Sequence, residues 1–281
     1  MSDPEFIIPF DRLPDGFVES VKVPRPRPSI PRPAATIVLM RDAPEGLEVL
    51  LMRRNRTAGF VPGAYVFPGG RVDTSDASPD IVARLDGLTS DDASVRLGLR
   101  EGRPAAIAYY LAAVREAFEE TGILLGRTPE GAPPTTAADD PAIDAVRDLV
   151  MEDRLAFASA LDRLGCRIDG SALEYLAHWI TPEVEPRRYD TRFFAARVPP
   201  ATTAIVDPRE MTDAVWLAPS LALRRNRQAS LPMVFPTLKT LEQLAAYRNV
   251  DAALDDLAGR EIPTFLPRLV VTPTGVGLRL D

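Results

Sequence analysis

One segment narrows the choice of folds more than any other: residues 104–125, PAAIAYYLAAVREAFEETGILL. Tyr110, Val114, Ala117, Phe118 and Thr121 recur at spacings of three and four, which predicts a helix with one buried stripe. Gly122 falls where such a helix would stop. Away from that stripe, Glu116, Glu119 and Glu120 stand at i, i+3 and i+4, so their carboxylates share a face. Like charges about 6 Å apart repel by roughly 3 kcal/mol at an effective dielectric near 20. A solvated acidic face is the plain reading of such a cluster. A bound cation is the other, and an all-oxygen ligand set selects magnesium or manganese.

The segments before the helix read as strands. ATIVLM (35–40) and LEVLLMRR (47–54) are short apolar runs with turn residues between them, a hairpin pattern. AYVFPGG (64–70) predicts a third strand ending at Pro-Gly-Gly. Residues 74–104 are polar and punctuated, and predict an inserted surface segment with one or two short helices. After the helix, residues 142–165 predict a second long helical stretch. LEYLAHWI, TRFFAARV and AVWLAP predict strands, and 220–230 a helix. LKTLEQLAAY and DAALDDLAG predict terminal helices, with strands at FLPRLVVT and GVGLRL. PRPRPSIPRP (24–33) forbids helix and predicts an extended arm or linker. Strands, a helix, more strands and terminal helices fit a mixed α/β domain.

The string Arg115-Glu116-Ala117-Phe118-Glu119-Glu120-Thr121-Gly122-Ile123 matches the end of the Nudix box, G-x5-E-x7-R-E-U-x-E-E-x-G-U. Gly69-Gly70-Arg71-Val72-Asp73 is similar to its opening. On these residues the chain resembles the Nudix hydrolases. Three departures stand out. The fifth residue past Gly70 leads to Asp76 where the box has Glu, one methylene shorter for pairing with Arg115. Between Asp76 and Arg115 lie 38 residues where the pattern has seven. Position 117 is Ala, small for an apolar site. A long insert after FPGG resembles the coenzyme A diphosphatase-like subgroup. LLMRRNRTAGFVPGAYVFPGGRVD, HWITPEVEPRRYDTRFFAARVP and TDAVWLAPSLAL are similar to that subgroup over roughly residues 35–240.

The resemblance implies an α/β fold, a Nudix-type mixed sheet sandwiched between helices, with an inserted segment and a helical C-terminal extension. The implied layout is an extended arm over 1–33 and a single Nudix domain over 34–281, with the insert at about 74–104 and the extension at about 226–281. By position, Glu116, Glu119 and Glu120 would hold Mg2+ or Mn2+, with the backbone carbonyl near Gly69 as a further ligand. Arg115 would orient the carboxylates. Glu120 or Glu116 would serve as the base, with Glu210 as a candidate from a later loop, where a plain solvated carboxylate is an equal reading. Gly70, Arg53 and Arg54 are candidate substrate contacts, and Arg187, Arg188 and Arg192 form a second basic group. For each arginine an exposed strand position is the first expectation. His178 is expected to be buried and satisfied, and Trp179 and Trp216 to be core.

The implied activity is hydrolysis of a pyrophosphate bond in a nucleoside diphosphate derivative, with coenzyme A or acyl-CoA leading. ADP-ribose or NADH-like dinucleotides are the alternative substrates, and a nucleotide-sensing regulator without turnover is the alternative class. Composition trims the rest. A net charge of −7 argues against nucleic-acid binding. One histidine and one cysteine rule out zinc sites built from several such ligands. The lone thiol of Cys166 suits a reducing cytoplasm, and no apolar run is long enough for a membrane span. The expected partner is a small molecule, with a homodimer as a possible assembly.

Overall fold

The protein is described by a computed structural model that covers residues 4, 6–23, 27–55, 63–99 and 104–280. In chain order it has β1 (Phe6–Pro9), α1 (Phe17–Lys22), β2 (Arg32–Ala43), β3 (Gly46–Arg54), β4 (Tyr65–Val66), β5 (Gly69–Arg71), α2 (Pro79–Val82), β6 (Leu85–Asp86) and α3 (Ser90–Leu97). Next come α4 (Ala106–Thr121), α5 (Pro141–Met151), α6 (Phe157–Leu164), β7 (Ile168–Asp169), β8 (Leu173–Ile180), β9 (Tyr189–Arg197) and β10 (Met211–Leu217). The chain ends with α7 (Pro219–Arg227), α8 (Phe235–Leu244), α9 (Val250–Leu257), β11 (Thr264–Phe265), β12 (Arg268–Thr272) and β13 (Gly275–Arg279).

The main sheet has the order β10-β3-β2-β9-β8-β11, with β4 pairing β3 and β5 pairing β2. It is mixed: β2 runs parallel to β9 and β11 to β8, and the other pairs are antiparallel. β2 lies at its centre, and Ile37, Val38, Leu39 and Met40 are all fully buried. A continuous apolar run of this kind is what a strand covered on both faces requires. Alternation then sorts the residues. Ala35, Ile37, Leu39, Leu50, Tyr175 and Phe194 pack beneath α4, with α3, α5 and α6 around it. Val38, Met40, Val49, Leu51, Trp179 and Phe193 pack beneath α7, α8 and α9. The expected α/β sandwich is thus present.

Several local expectations are corrected. The third strand is two pieces, β4 on β3 and β5 on β2, because Phe67-Pro68 breaks the ladder between them. The segment read as one helix over 142–165 is α5 and α6, parted where Asp153 takes a left-handed φ of 54°. The insert is not merely surface. Ile81, Leu88, Ala93 and Leu97 are buried in the α4 core, though they form no continuous apolar run in sequence.

Residues 1–33 are more than an extended arm. β1 pairs antiparallel with β13 from Phe6↔Leu278 to Pro9↔Gly275, so the strands expected after the terminal helices, β12 and β13, are joined by the N-terminal segment in a three-stranded β1-β13-β12 sheet. Within the Pro-rich stretch, residues 24–26 lie outside the described residues, and Arg32 and Pro33 already belong to β2. Cys166 is buried just after α6, its thiol donating to the Leu164 carbonyl at 3.2 Å, and burial pushes its pKa up.

Candidate active site

α4 is the element that builds the site. From Ala106 to Val114 every residue is buried, since the helix lies between the sheet and the insert. Its last two turns carry the charges. The helix ends at Gly122, whose φ of 70° gives the left-handed cap. The orphan carbonyls beyond the last turn find separate partners. Phe118 O accepts from Gly122 N–H, Thr121 O from Ile205 N–H, and Glu119 O from the Arg147 guanidinium, each at 2.9 Å.

Arg115 gathers the acids. Its Nε donates to Asp76 Oδ1 at 2.8 Å and Nη2 to Asp76 Oδ2 at 3.0 Å, a two-point pair. Nη1 donates to Glu116 Oε1 at 2.9 Å and Glu119 Oε2 at 3.1 Å, and Nη2 also to the Arg71 carbonyl at 3.0 Å. The shorter Asp76 therefore does reach Arg115. A single 3-10 turn at Thr74–Ala77 brings it there, and Asp76 Oδ2 also accepts from the Asp73 amide at 2.8 Å. The 38-residue break in the sequence pattern closes in space.

The glycines after β4 make room for the acids. Gly69 has φ 156° and its amide donates to Glu120 Oε2 at 2.8 Å. A Cβ on Gly70 would collide with the Glu116 carboxylate. The absence of a side chain at Gly70 thus leaves room for the Glu116 carboxylate.

Glu116, Glu119, Glu120 and Asp76 are four acids against the one guanidinium of Arg115. Glu120 is 7% exposed and Asp76 4%. Burial, with Glu119 adding to it, pushes Glu116 up to about 7 despite Arg115. Burial and then the charge of Glu116 push Glu120 well above the usual carboxylate range. Burial also raises Glu119. This surplus of desolvated negative charge is what a hard divalent cation would relieve, so the residues fit such an ion. In the geometry described, Arg115 draws Glu116 and Glu119 to itself while the Gly69 amide draws Glu120. Among the described residues no three acids yet converge as a cage. Two clefts of about 240 and 300 Å3 lie on the far face around Phe265, where no carboxylate cluster gathers.

The other candidates divide. Alternation on β3 sends Arg54 to the α4 face, where its charge lowers the proton affinity of Glu120, and Arg53 to the other face, 5.9 Å over the Tyr65 ring. Arg53 is thus not brought to the carboxylates. Glu210, at the start of β10, is exposed and close enough for its charge to raise Glu120 further.

Arg188 and Arg192 depart from the surface expectation, at 7% and 3% exposed. Arg188 donates to the Thr181 and Ser29 carbonyls, while Arg192 lies 4.5 Å over Tyr109 and bonds Asp190 at 2.8 Å. Arg187 is exposed. His178 is buried between Asp190 at 2.6 Å and Thr264 at 2.8 Å. Burial alone would raise Asp190, but the His178 bond and the Arg192 charge bring it below its usual value. Trp179 is core, whereas Trp216 is half-buried beneath Arg41 at 4.4 Å.

Sequence reasoning missed Arg147, which no motif marks. Among the described residues no helix is long and apolar enough to cross a membrane.

Comparison with known proteins gives the family. Residues 89–244 match the NUDT19 Nudix domain model, a span that holds α4 and Glu210. The crystal structure of a NUDIX hydrolase from Alicyclobacillus acidocaldarius is 31% identical, covers 81% of this chain and 96% of its own, and superposes with a TM-score of 0.67. Acyl-coenzyme A diphosphatase NUDT19 of Homo sapiens is 29% identical across 90% of this chain and 79% of its own length. The Gallus gallus protein of the same name is 29% identical across 78% and 69%. With its Arg115–Glu120 helix, its paired glycines and these matches, the chain belongs to the NUDT19 family of Nudix pyrophosphohydrolases.

Proposed function

We propose that this enzyme hydrolyses the pyrophosphate bond of coenzyme A or an acyl-CoA, giving a 4'-phosphopantetheine and adenosine 3',5'-bisphosphate. The observation that carries the reading is the undercompensated set on the last turns of α4, Glu120 buried and Glu116 and Glu119 partly buried. The substrate comes from the relatives whose names describe an acyl-CoA diphosphatase.

In this reading the three glutamates and the Gly69 carbonyl would hold Mg2+ or Mn2+. Bound there, the ion would neutralise pyrophosphate charge and make water a stronger nucleophile. Arg115, itself held by Asp76, keeps Glu116 and Glu119 in position rather than touching substrate. Arg54 faces the phosphates from the end of β3. Water attacks one phosphorus, the bridging P–O bond breaks, and the departing phosphate monoester keeps the bridging oxygen. The water proton passes to Glu120, whose Oε2 accepts from the Gly69 amide at 2.8 Å. Glu116 and Glu210 are the alternative bases. A cytoplasmic setting, without membrane or nucleic-acid attachment, goes with this reading and with the net charge of −7.

The test is turnover of CoA, acyl-CoA, ADP-ribose and NADH with Mg2+ or Mn2+, for wild type and Glu119→Gln. Metal-dependent cleavage of CoA species that collapses in the variant is the expected result. Cleavage of ADP-ribose or NADH instead would keep the chemistry and discard the substrate. Tight nucleotide binding with no turnover would move the chain to a sensing role.

A further inference from the structure

We propose that Arg147, on α5 and outside the acidic motif, is a positioning residue that sets the last turn of α4 for cation binding. The inference rests on the metal-site reading above, but not on the identity of the substrate.

Four observations carry it. Gly122 turns the chain off the helix, and the Ile123 amide bonds Thr121 Oγ1 at 3.2 Å. The carbonyl of Glu119 therefore lacks the amide that a continuing helix would bring. The Arg147 Nε donor replaces it at 2.9 Å, a charged donor on the backbone of a ligand candidate. Arg147 is only 3% exposed, so its charge is held in a poorly screened place. Its remaining bonds are thin. Nη1 meets Asp144 at 3.3 Å, an acid whose side chain is 39% exposed, and the buried Nη2 has no partner among the described residues.

Stability alone is a poor account of such a group. Desolvating a guanidinium is costly, and an apolar residue of similar volume often serves packing as well. A half-exposed partner at 3.3 Å returns little. The electrostatic account is stronger. The C-terminal end of a helix carries partial negative charge, and α4 adds three carboxylates within its last two turns. A buried cation just past that end offsets both. It also ties the Glu119 backbone to α5. The depth at which Glu119 and Glu120 meet Arg115 and Gly69 is then fixed from both sides, by Asp76 through Arg115 and by α5 through Arg147.

The experiment uses the full chain with Arg147→Met and Arg147→Lys. Two quantities are read: the Mn2+ concentration giving half the maximal rise in Tm, and kcat and KM on whichever substrate wild type cleaves. For Arg147→Met the half-maximal Mn2+ concentration is expected to rise about tenfold, the loss typical of groups that orient metal ligands. kcat should fall by a similar factor while KM stays within about twofold, and Arg147→Lys should recover part of both. Wild-type Mn2+ response and kcat in a folded Arg147→Met protein would overturn the proposal and leave Arg147 a plain clamp. If Arg147→Met does not fold, Arg147→Lys decides. A displaced Mn2+ response supports the proposal, and an unchanged one overturns it. Absence of turnover in wild type would count against the hydrolase reading only, because the Mn2+ response is read without substrate.

Discussion

The two faces of the central sheet handle charge in opposite ways. Under α7, α8 and α9, Trp179 packs edge-on to Phe235 and stacks on Phe265, and Leu241, Leu244, Val250 and Leu257 close a core without a buried carboxylate cluster. Under α4 the same strands meet a helix that starts apolar and ends in Glu116, Glu119 and Glu120. Arg53 and Arg54 show the division at single-residue resolution, since adjacent positions on β3 point to opposite faces. One face stores stability, and the other gives some of it up to keep negative charge dry. A strand buried on both sides lets one sheet do both, because side-chain alternation insulates the two layers.

The contrast can be broken or sharpened experimentally. The largest effect is expected for Glu120→Gln, which should lower kcat on the order of 10²- to 10⁴-fold, the range for losing a general base, without lowering Tm. A comparable rate in the variant, read in a steady-state assay, would remove Glu120 from the chemistry. Phe235→Ala on the far face should do the reverse. Removing a buried aromatic costs about 3–5 kcal/mol, measurable by urea unfolding, while kcat per folded molecule is unchanged.

Asp76→Asn weakens the hold on Arg115 and should cost about 10- to 100-fold in activity or metal affinity. The arginine pair gives a smaller and more local comparison. Arg54→Ala should raise KM about tenfold through a lost charged contact, and Arg53→Ala by less than about threefold. Equal effects would show that the substrate reaches around the sheet end.

The smallest effect is on pH dependence. In chelator-treated protein, Glu116, Glu119 and Glu120 bind protons more tightly folded than unfolded. The contribution of Glu116 is therefore fully present below its ordinary pKa near 4.5 and is lost as pH rises through about 7, and Glu119 and Glu120 act in the same direction. Tm should fall between pH 5 and pH 8, less steeply in Glu120→Gln, and Mn2+ should flatten the slope. Phe235→Ala should keep the wild-type slope.

What could be read in advance follows from range along the chain. The α4 stripe runs over about three turns and the three glutamates lie within two, so helical spacing alone placed them on their faces. The hairpin of β2 and β3 is equally local. Contacts between distant segments were hidden. β1 finds β13 at the other end of the chain, and Arg188 finds Ser29, 159 positions away. Charge masked the burial of Arg192, whose partners Tyr109 and Asp190 lie on different elements. In the insert, Ile81, Ala93 and Leu97 are too sparse to form a periodic stripe, yet α4 covers them. The Asp76–Arg115 pair looked doubtful because side-chain length is visible in a sequence, whereas the turn that makes up the difference is not.

The burial of Cys166 has a consequence of another kind. Thiolate is the form that attacks peroxide and disulfides, and a sheltered thiol with a raised pKa supplies little of it. The only sulfhydryl in the chain thus stands apart from both the carboxylates and the solvent. The enzyme should withstand an oxidant pulse that silences thiol-dependent hydrolases, and two copies should not become crosslinked through sulfur. Labelling of Cys166 would then act as a clock for the opening of the layer around α6, independent of whether the active site is at work.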